Sequence, residues 1–133
     1  MVSMNQEDYL RAMYHLNEEL GEVKSIDLAE YLAVSKPSVS EMVQQLNSEG
    51  LVHYQPYAKL QFTQRGKRIA QKLTAKHRLI ELFLKKVLKL NPKHIHQEAH
   101  RLEHAFSDES ISKIRKLLGN PHRDPHGKPI PTI

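Results

Sequence analysis

The stretch from Ser35-Lys36-Pro37 to Gly50 marks both ends of one helix, and it narrows the possible folds more than any other segment. Proline sits well in a first helical turn, where its missing N–H costs nothing, and glycine readily ends a helix. Between them Val39, Met42, Val43 and Leu46 recur at helical spacing and predict one inward face. Just upstream, Ser25 reads as the cap of a short helix over residues 26–33, with Ile26, Ala29 and Leu32 inward. Two short helices joined by a tight turn at Val34-Ser35 form a helix-turn-helix. Downstream, Leu51-Val52-His53-Tyr54 and Lys59-Leu60-Gln61-Phe62 are short β-prone runs, with Gln55-Pro56-Tyr57-Ala58 as the turn between them. A helix-turn-helix followed by a small hairpin is a winged helix.

Helical patterns flank this core. Residues 4–20 read as a helix capped by Asn5 or Ser3, ended by Gly21, with Leu10, Met13, Tyr14 and Leu20 on or near one face. Asp8 falls in its first turn, where a carboxylate favours the helix N-terminus without any metal. Thr63 caps a long helix from Gln64 to about Leu90, broken by Asn91-Pro92. Its apolar surface, Leu79, Ile80, Leu82, Phe83, Leu84, Val87 and Leu88, exceeds what one small lobe covers. Pro92 opens the next helix, and Ser107 caps a last one near residues 108–118. The expectation is a mainly α chain in three parts. Residues 1–63 form a winged helix-turn-helix domain with a small β-hairpin, residues 64–120 an all-helical domain, and residues 121–133 an extended tail.

The chain contains no Cys, so disulfides and thiolate metal sites are excluded. No apolar run approaches the roughly 20 residues that a bilayer requires, and the N-terminus has no basic segment followed by an apolar run. The cytoplasm is the expected compartment, with no membrane partner. The net charge of +5 is unevenly spread: residues 1–60 carry 4 Lys/Arg against 9 Asp/Glu, and residues 61–133 carry 16 against 6. A −5 half beside a +10 half means that a DNA reader in the first half needs help from local geometry or from the next helix.

The run His96-Gln97-Glu98-Ala99-His100-Arg101-Leu102-Glu103-His104 carries four metal-ligand types at helical spacing. At about 100° per residue, His96, His100, Glu103 and His104 fall on one side. Ile95, Ala99, Leu102 and Phe106 form a neighbouring stripe that holds the helix against a core. Nitrogen and oxygen donors without thiolate suit Mn, Fe, Co, Ni or Zn. His77 and Glu81, at i and i+4, are either an ordinary helix pair or a second pair of ligands. A solvated polar face also accounts for the His-rich side. His100-Arg101-Leu102-Glu103-His104 further fits a zinc peptidase pattern, in which two His bind zinc and the Glu acts as base. That reading requires a further ligand and a substrate cleft.

On the exposed side of the second helix-turn-helix helix lie Ser35, Lys36, Ser38, Ser40, Glu41, Gln44 and Gln45, short polar residues suited to phosphates and base edges in a major groove. Arg65, Lys67 and Arg68 open the long helix beside the hairpin, where they and Lys59 can contact phosphates. A helix-turn-helix also serves as a plain protein-interaction lobe. With a separate apolar helical surface, a symmetric dimer reading two half-sites becomes the expected assembly.

These residues together resemble the metal-dependent transcriptional repressors of the diphtheria toxin repressor and manganese transport regulator type. The resemblance rests on Glu7-Asp8-Tyr9-Leu10-Arg11, on Val39 to Leu46 with Glu49-Gly50-Leu51-Val52, on Leu60 to Gly66, on His77, and on His96 to Ser107. The tail from Asp124 to Pro131 is similar to the iron-responsive branch. The resemblance implies a winged-helix domain, a helical metal-binding and dimerisation domain, and a divalent corepressor. It implies that Asp8, His100, Glu103 and His104 share one cation, that His77, Glu81 and His96 form an ancillary site, and that Ser35, Lys36, Pro37 and Ser38 form the DNA-contacting turn. In the manganese branch the position of His77 serves both ions of a paired site.

Several positions depart from the family. Arg11 stands where the manganese branch has a carboxylate. His100 replaces the Cys of the iron branch and the Glu of the manganese branch, and Asp8 replaces a soft Met of the iron branch, which tilts the site toward oxygen and Mn(II). The SH3-like domain of longer members has no counterpart in these residues.

The expected function is a repressor in which Mn(II) or Fe(II), with Zn(II), Co(II) or Ni(II) able to substitute, bridges the two domains and sets a homodimer on a double-stranded operator. No small-molecule substrate is expected. The alternatives are a metal-independent winged-helix regulator with a structural metal or none, and a zinc hydrolase using His100, Glu103 and His104.

Overall fold

In a computed structural model, which describes residues 2–55 and 59–132, the element order is α1 (Met4–Leu20), β1 (Val23–Lys24), α2 (Ser25–Leu32), α3 (Lys36–Ser48), β2 (Val52–Gln55), β3 (Lys59–Phe62), α4 (Gln64–Lys86), α5 (Pro92–Glu103) and α6 (Asp108–Leu117). Two compact units, Met1–Gln71 and Lys72–Ile133, divide inside α4. No helix among the described residues is long and apolar enough to cross a membrane.

In the first unit, Ser3 closes a capping box with Gln6 at the start of α1, and Gly21 ends the helix at a φ of 79°. Glu7 occupies the first turn and Asp8 follows it. The α1 core face is Tyr9, Leu10, Ala12, Met13 and Leu16, while Leu20, expected inward, is 55% exposed. The cap of α2 is Lys24, not Ser25, which is the first helical residue. Leu28 and Ala29 are therefore the buried pair, and Ile26, expected inward, lies exposed. In α3 all four expected residues, Val39, Met42, Val43 and Leu46, are buried. The two readable strands pair antiparallel with Val52 opposite Phe62, and β1 adds to β3 with Val23 opposite Leu60, giving the order β1-β3-β2. Of the expected turn between β2 and β3, residues 56–58 lie outside the described residues.

The hairpin is fastened to the start of α4. Thr63 N–H donates to Leu51 O at 3.1 Å, Thr63 Oγ1 donates to Gly50 O at 2.7 Å, and Gly66 N–H donates to Thr63 Oγ1 at 3.0 Å. The helix backbone can approach this closely only because position 66 carries no side chain: a Cβ there would stand 1.9 Å from Leu51 O.

In the second unit α4 packs its apolar side into two clusters. Ala75, Leu79 and Leu82 meet Ile114 and Ile130, and Ile80 and Leu84 meet Ile95 and Ala99, with Phe83, Phe106 and Ile111 touching both. The apolar surface of α4, expected to exceed its lobe, is thus covered by α5, α6 and the tail. Only Val87 and Leu88, beyond its end, remain exposed. Residues 121–132 also differ from an extended tail. Asp124 Oδ1 accepts from His126 N–H and Lys128 N–H at 2.9 and 2.8 Å, Arg123 bridges Pro129, and Ile130 is buried. Arg78, buried on α4, donates to Pro129 O, with its Nε 3.9 Å from Asp124 Oδ2.

Gly66→Ala is expected to destabilise the chain by about 1–3 kcal/mol through overpacking, the opposite of the gain of about 1 kcal/mol that Ala confers in an open helix interior. Urea unfolding of the two proteins measures the sign, and a stabilised variant would contradict the close contact at Leu51.

Candidate metal centre

The second unit gathers its donors on α4 and α5. His77, Glu81 and Glu103 are 5%, 3% and 2% exposed, unusual burial for two carboxylates. They sit at that depth because their neighbours in sequence, Leu79, Ile80, Leu82 and Ala99, belong to the apolar clusters and hold the helices together.

Six of the seven expected ligands fall in this unit and form two groups. His77, Glu81 and His96 bring one donor atom each within 4.8 Å of one another, and so do His100, Glu103 and His104. His77 links the groups. Its Nδ1 lies 2.9 Å from Glu103 Oε2, and its Nε2 lies 3.3 Å from His96 Nδ1 and 3.6 Å from Glu81 Oε1. A carboxylate only accepts, so the proton of a neutral His77 belongs on Nδ1. Its Nε2 lone pair then faces Glu81 and His96, the orientation in which a carboxylate-anchored imidazole serves a cation. In the other group His100 Nε2 and His104 Nε2 stand 4.0 and 3.8 Å from Glu103 Oε1, with the two rings edge to face at 5.3 Å. Imidazole nitrogens with buried carboxylates fit a divalent cation of the Mn to Zn series. The seventh expected ligand, Asp8, is half-buried on α1 of the first unit.

Burial raises the pKa of Glu81. The opposing hydrogen bonds and charges of His77 and His96 outweigh it and hold the carboxyl well below its ordinary value.

The sequence reading did not single out Asp124 and His126 as ligands. The structure brings a donor atom of each within 4.8 Å of one from Glu81, so Glu81 belongs to two triads. Asp124-Pro125-His126 carries the right residue types, but only the folded-back tail and Arg78 bring them to α4. Glu103, the base of the peptidase pattern, is buried against His77.

On the first unit Ser35, Lys36, Pro37, Ser38, Ser40 and Glu41 are all exposed. Ser35 is the α3 cap, accepting from Ser38 N–H at 3.2 Å and donating to Ser38 Oγ at 2.8 Å. Lys59 pairs with Glu22 at 2.8 Å, and Arg65 donates to Glu49 O at 3.0 Å, so each trades an existing bond for any phosphate.

The profile of the iron dependent repressor N-terminal DNA binding domain matches residues 1–60, and that of the iron dependent repressor metal binding and dimerisation domain matches residues 63–132. The chain is 39% identical over 127 residues to the diphtheria toxin repressor of Corynebacterium glutamicum, covering 96% of this chain and 56% of that protein. It is 36% identical over 118 residues to the HTH-type transcriptional regulator MntR of Bacillus subtilis, covering 89% and 82%. The solved structure of the manganese regulator SloR superposes with a TM-score of 0.84 at 41% identity, over 96% of this chain and 59% of that one. The chain thus spans little more than half the length of the diphtheria toxin repressor. These relatives are named as a repressor and as regulators, and none of the three as a hydrolase.

In the ion-free chain, the imidazoles that lower the Glu81 pKa also stabilise the fold. The sign follows from linkage: a carboxyl depressed in the folded state contributes stability above its unfolded pKa of about 4.3 and loses it as pH falls below that value. With chelator present, wild type should melt above Glu81→Gln at pH 5.5, and the gap should shrink on descending to pH 3.5. A gap that widens on acidification would contradict the assignment.

Proposed function

The chain belongs to the iron-dependent repressor family of metal-dependent transcription regulators, and from that premise we propose that it is a metal-responsive DNA-binding repressor acting as a homodimer in the cytoplasm. The observation that carries the reading is the division of labour between the units. Exposed hydroxyls and amides stand on α3 of one, and clustered imidazoles with buried carboxylates stand on α4 and α5 of the other.

In this reading Asp8 joins His100, Glu103 and His104 around one cation, and His77, Glu81 and His96 hold a second. A bound divalent ion supplies the positive charge that lets Asp8 and Glu103 come together rather than repel. Asp8 lies on the same helix as Tyr9, Leu10 and Met13, whose burial ties α1 to the core of the reader. A pull on Asp8 is therefore transmitted to α3 as a rigid-body shift, and two readers in a dimer are set at the spacing of two half-sites. A nitrogen or oxygen donor coordinates a cation only in its deprotonated form, so cation affinity weakens toward acid pH. The oxygens of Asp8 and Glu103 favour Mn(II) or Fe(II) as the working ion, while Zn(II), Co(II) and Ni(II) fit the same donors.

Ser35, Lys36, Pro37, Ser38, Ser40 and Glu41 present the reading surface to the major groove, with Lys59 and Arg65 on phosphates. The short side chains allow close approach to base edges. The formal −5 of residues 1–60 opposes DNA, so the reader alone binds weakly and depends on correct placement of both copies.

The test uses duplexes selected by this chain from a random pool in Mn(II), with affinity read by fluorescence anisotropy at fixed salt. Adding Mn(II) to chelated protein should tighten binding by 5- to 150-fold, the usual size of such coupling. Asp8→Ala and His104→Ala should each abolish that gain. Wild-type binding that is indifferent to chelator would instead establish the metal-independent regulator.

A further inference from the structure

In the second unit a cavity of about 440 Å³ opens between α4 and α6, bounded by Lys72, Ala75 and Lys76 of the first helix and Asp108, Ile111, Ser112 and Arg115 of the second. Its lining contains none of the metal donors. The spacing explains the space. Residues 72, 75 and 76, and residues 108, 111, 112 and 115, recur at three and four residues along one side of each helix. At Ala75 and Ser112 those sides carry short side chains, so the helices enclose a hollow there instead of interlocking.

The floor is apolar: Ala75 is buried in the cluster with Leu79 and Ile114, and Ile111 packs against it. The rim is cationic. Lys72 is already matched, with its Nζ 2.6 Å from Asp108 Oδ2, and this hydrogen bond, against the opposing effect of desolvation, holds the Asp108 carboxyl below its ordinary value. Lys76 and Arg115 are both half-buried. Lys76 makes no hydrogen bond or ion pair among the described residues, and Arg115 uses one donor on Pro131 O at 3.4 Å. Two half-buried cations beside one neutralised pair leave the cavity positive, and an entering anion relieves what burial costs them.

We propose that this cavity is a binding site for a small organic dianion with an apolar body, either a phosphomonoester or a dicarboxylate, its head on Lys76 and Arg115 and its body on Ala75 and Ile111. The cavity has the size of small-molecule sites, which run from about 300 to 1,000 Å³. A guanidinium presents paired donors that suit both head groups, and the ammonium adds a point charge. A bare inorganic anion would leave the apolar floor uncovered. A duplex backbone, which lies along a surface, would meet the cations and leave the same floor uncovered. The site stands apart from the metal and DNA readings and rests on neither.

The test uses the full chain, freed of metal on a chelating resin so that no anion is drawn to a cation, and follows its backbone amides by NMR in a buffer without phosphate. Phenyl phosphate and phthalate are the probes. At least one should shift the amides of Ala75, Lys76, Ile111 and Ser112 saturably, with a Kd of about 1 mM or tighter, as suits a fragment-sized ligand. The tighter of the two identifies the head group. Inorganic phosphate and phenol, each one part of phenyl phosphate, should bind at least about tenfold more weakly than the whole. Lys76→Gln should weaken binding about tenfold through loss of a charge-assisted hydrogen bond, while Lys116→Gln, the same charge change on α6 outside the lining, leaves it unchanged. Ser112→Tyr places a ring in the hollow from an exposed position, so its melting temperature should match wild type while binding is lost. The site is overturned if neither probe moves those amides, if inorganic phosphate binds as tightly as phenyl phosphate, if Ser112→Tyr binds as wild type does, or if Lys116→Gln weakens binding as much as Lys76→Gln. Duplex DNA that moves the Ala75 and Ile111 amides when neither probe does would overturn it in favour of a nucleic-acid contact.

Discussion

Glu81 and Glu103 are buried where α4 meets α5, and a buried carboxylate is tolerated only if something compensates its charge. In its protonated form, one ring does so for both. His77 reaches Glu103 with Nδ1 and faces Glu81 with Nε2, so the two carboxylates are tied to one ring and cannot rearrange independently. The apolar packing keeps the same geometry from the other side. Phe83, Phe106 and Ile111 touch both clusters of the second unit, so the helices that carry donors cannot shift without opening the core. Donors fixed in this way select among cations by geometry, whereas donors on loops would adapt to any of them.

The reader is built on the opposite principle. Its candidate contacts are exposed, and several are already engaged: Ser35 caps α3, Lys59 holds Glu22, and Arg65 holds Glu49 O. Exposed ion pairs such as Lys59–Glu22 contribute little to stability, so exchanging one for a phosphate is inexpensive. With a formal negative charge on its own residues, the reader derives little from unspecific attraction. On such a surface, placement of the individual contacts matters more than bulk charge.

Most of the helices were legible because their ends are written locally. Ser3, Pro37, Gly50, Pro92 and Ser107 cap, start or stop helices through groups within four residues, and α3 buried all four of its expected residues. One error is local, and the others come from dependence on distant partners. Ile26 was placed inward because Ser25 was taken for a cap, when Lys24 occupies that position and turns the face by one residue. The α4 stripe looked too wide because Ile130 and Ile114, far along the chain, could not be seen covering it. β1 is two residues long and exists only by pairing with β3. The ligand types and their helical grouping were likewise readable. That His77 joins the two groups, and that Asp124 and His126 reach Glu81, depends on contacts between separate segments, and no local pattern records them.

The relation between proton and cation at the donor cluster follows from this geometry. Small metal-folded domains have too little core to hold their ligands in place, so the free energy of binding is spent on folding. Here α4, α5 and α6 enclose two apolar clusters that contain none of the ligand side chains, and the tail is pinned separately by Arg78. The helices are thus held without help from a cation. Protons on the imidazoles and a divalent ion are alternative ways of neutralising the same buried carboxylates. Exchanging one for the other changes charge at the cluster while leaving the fold of the unit in place. The free energy of that exchange is therefore not spent on folding the unit, which is what a switch requires and a purely structural site lacks.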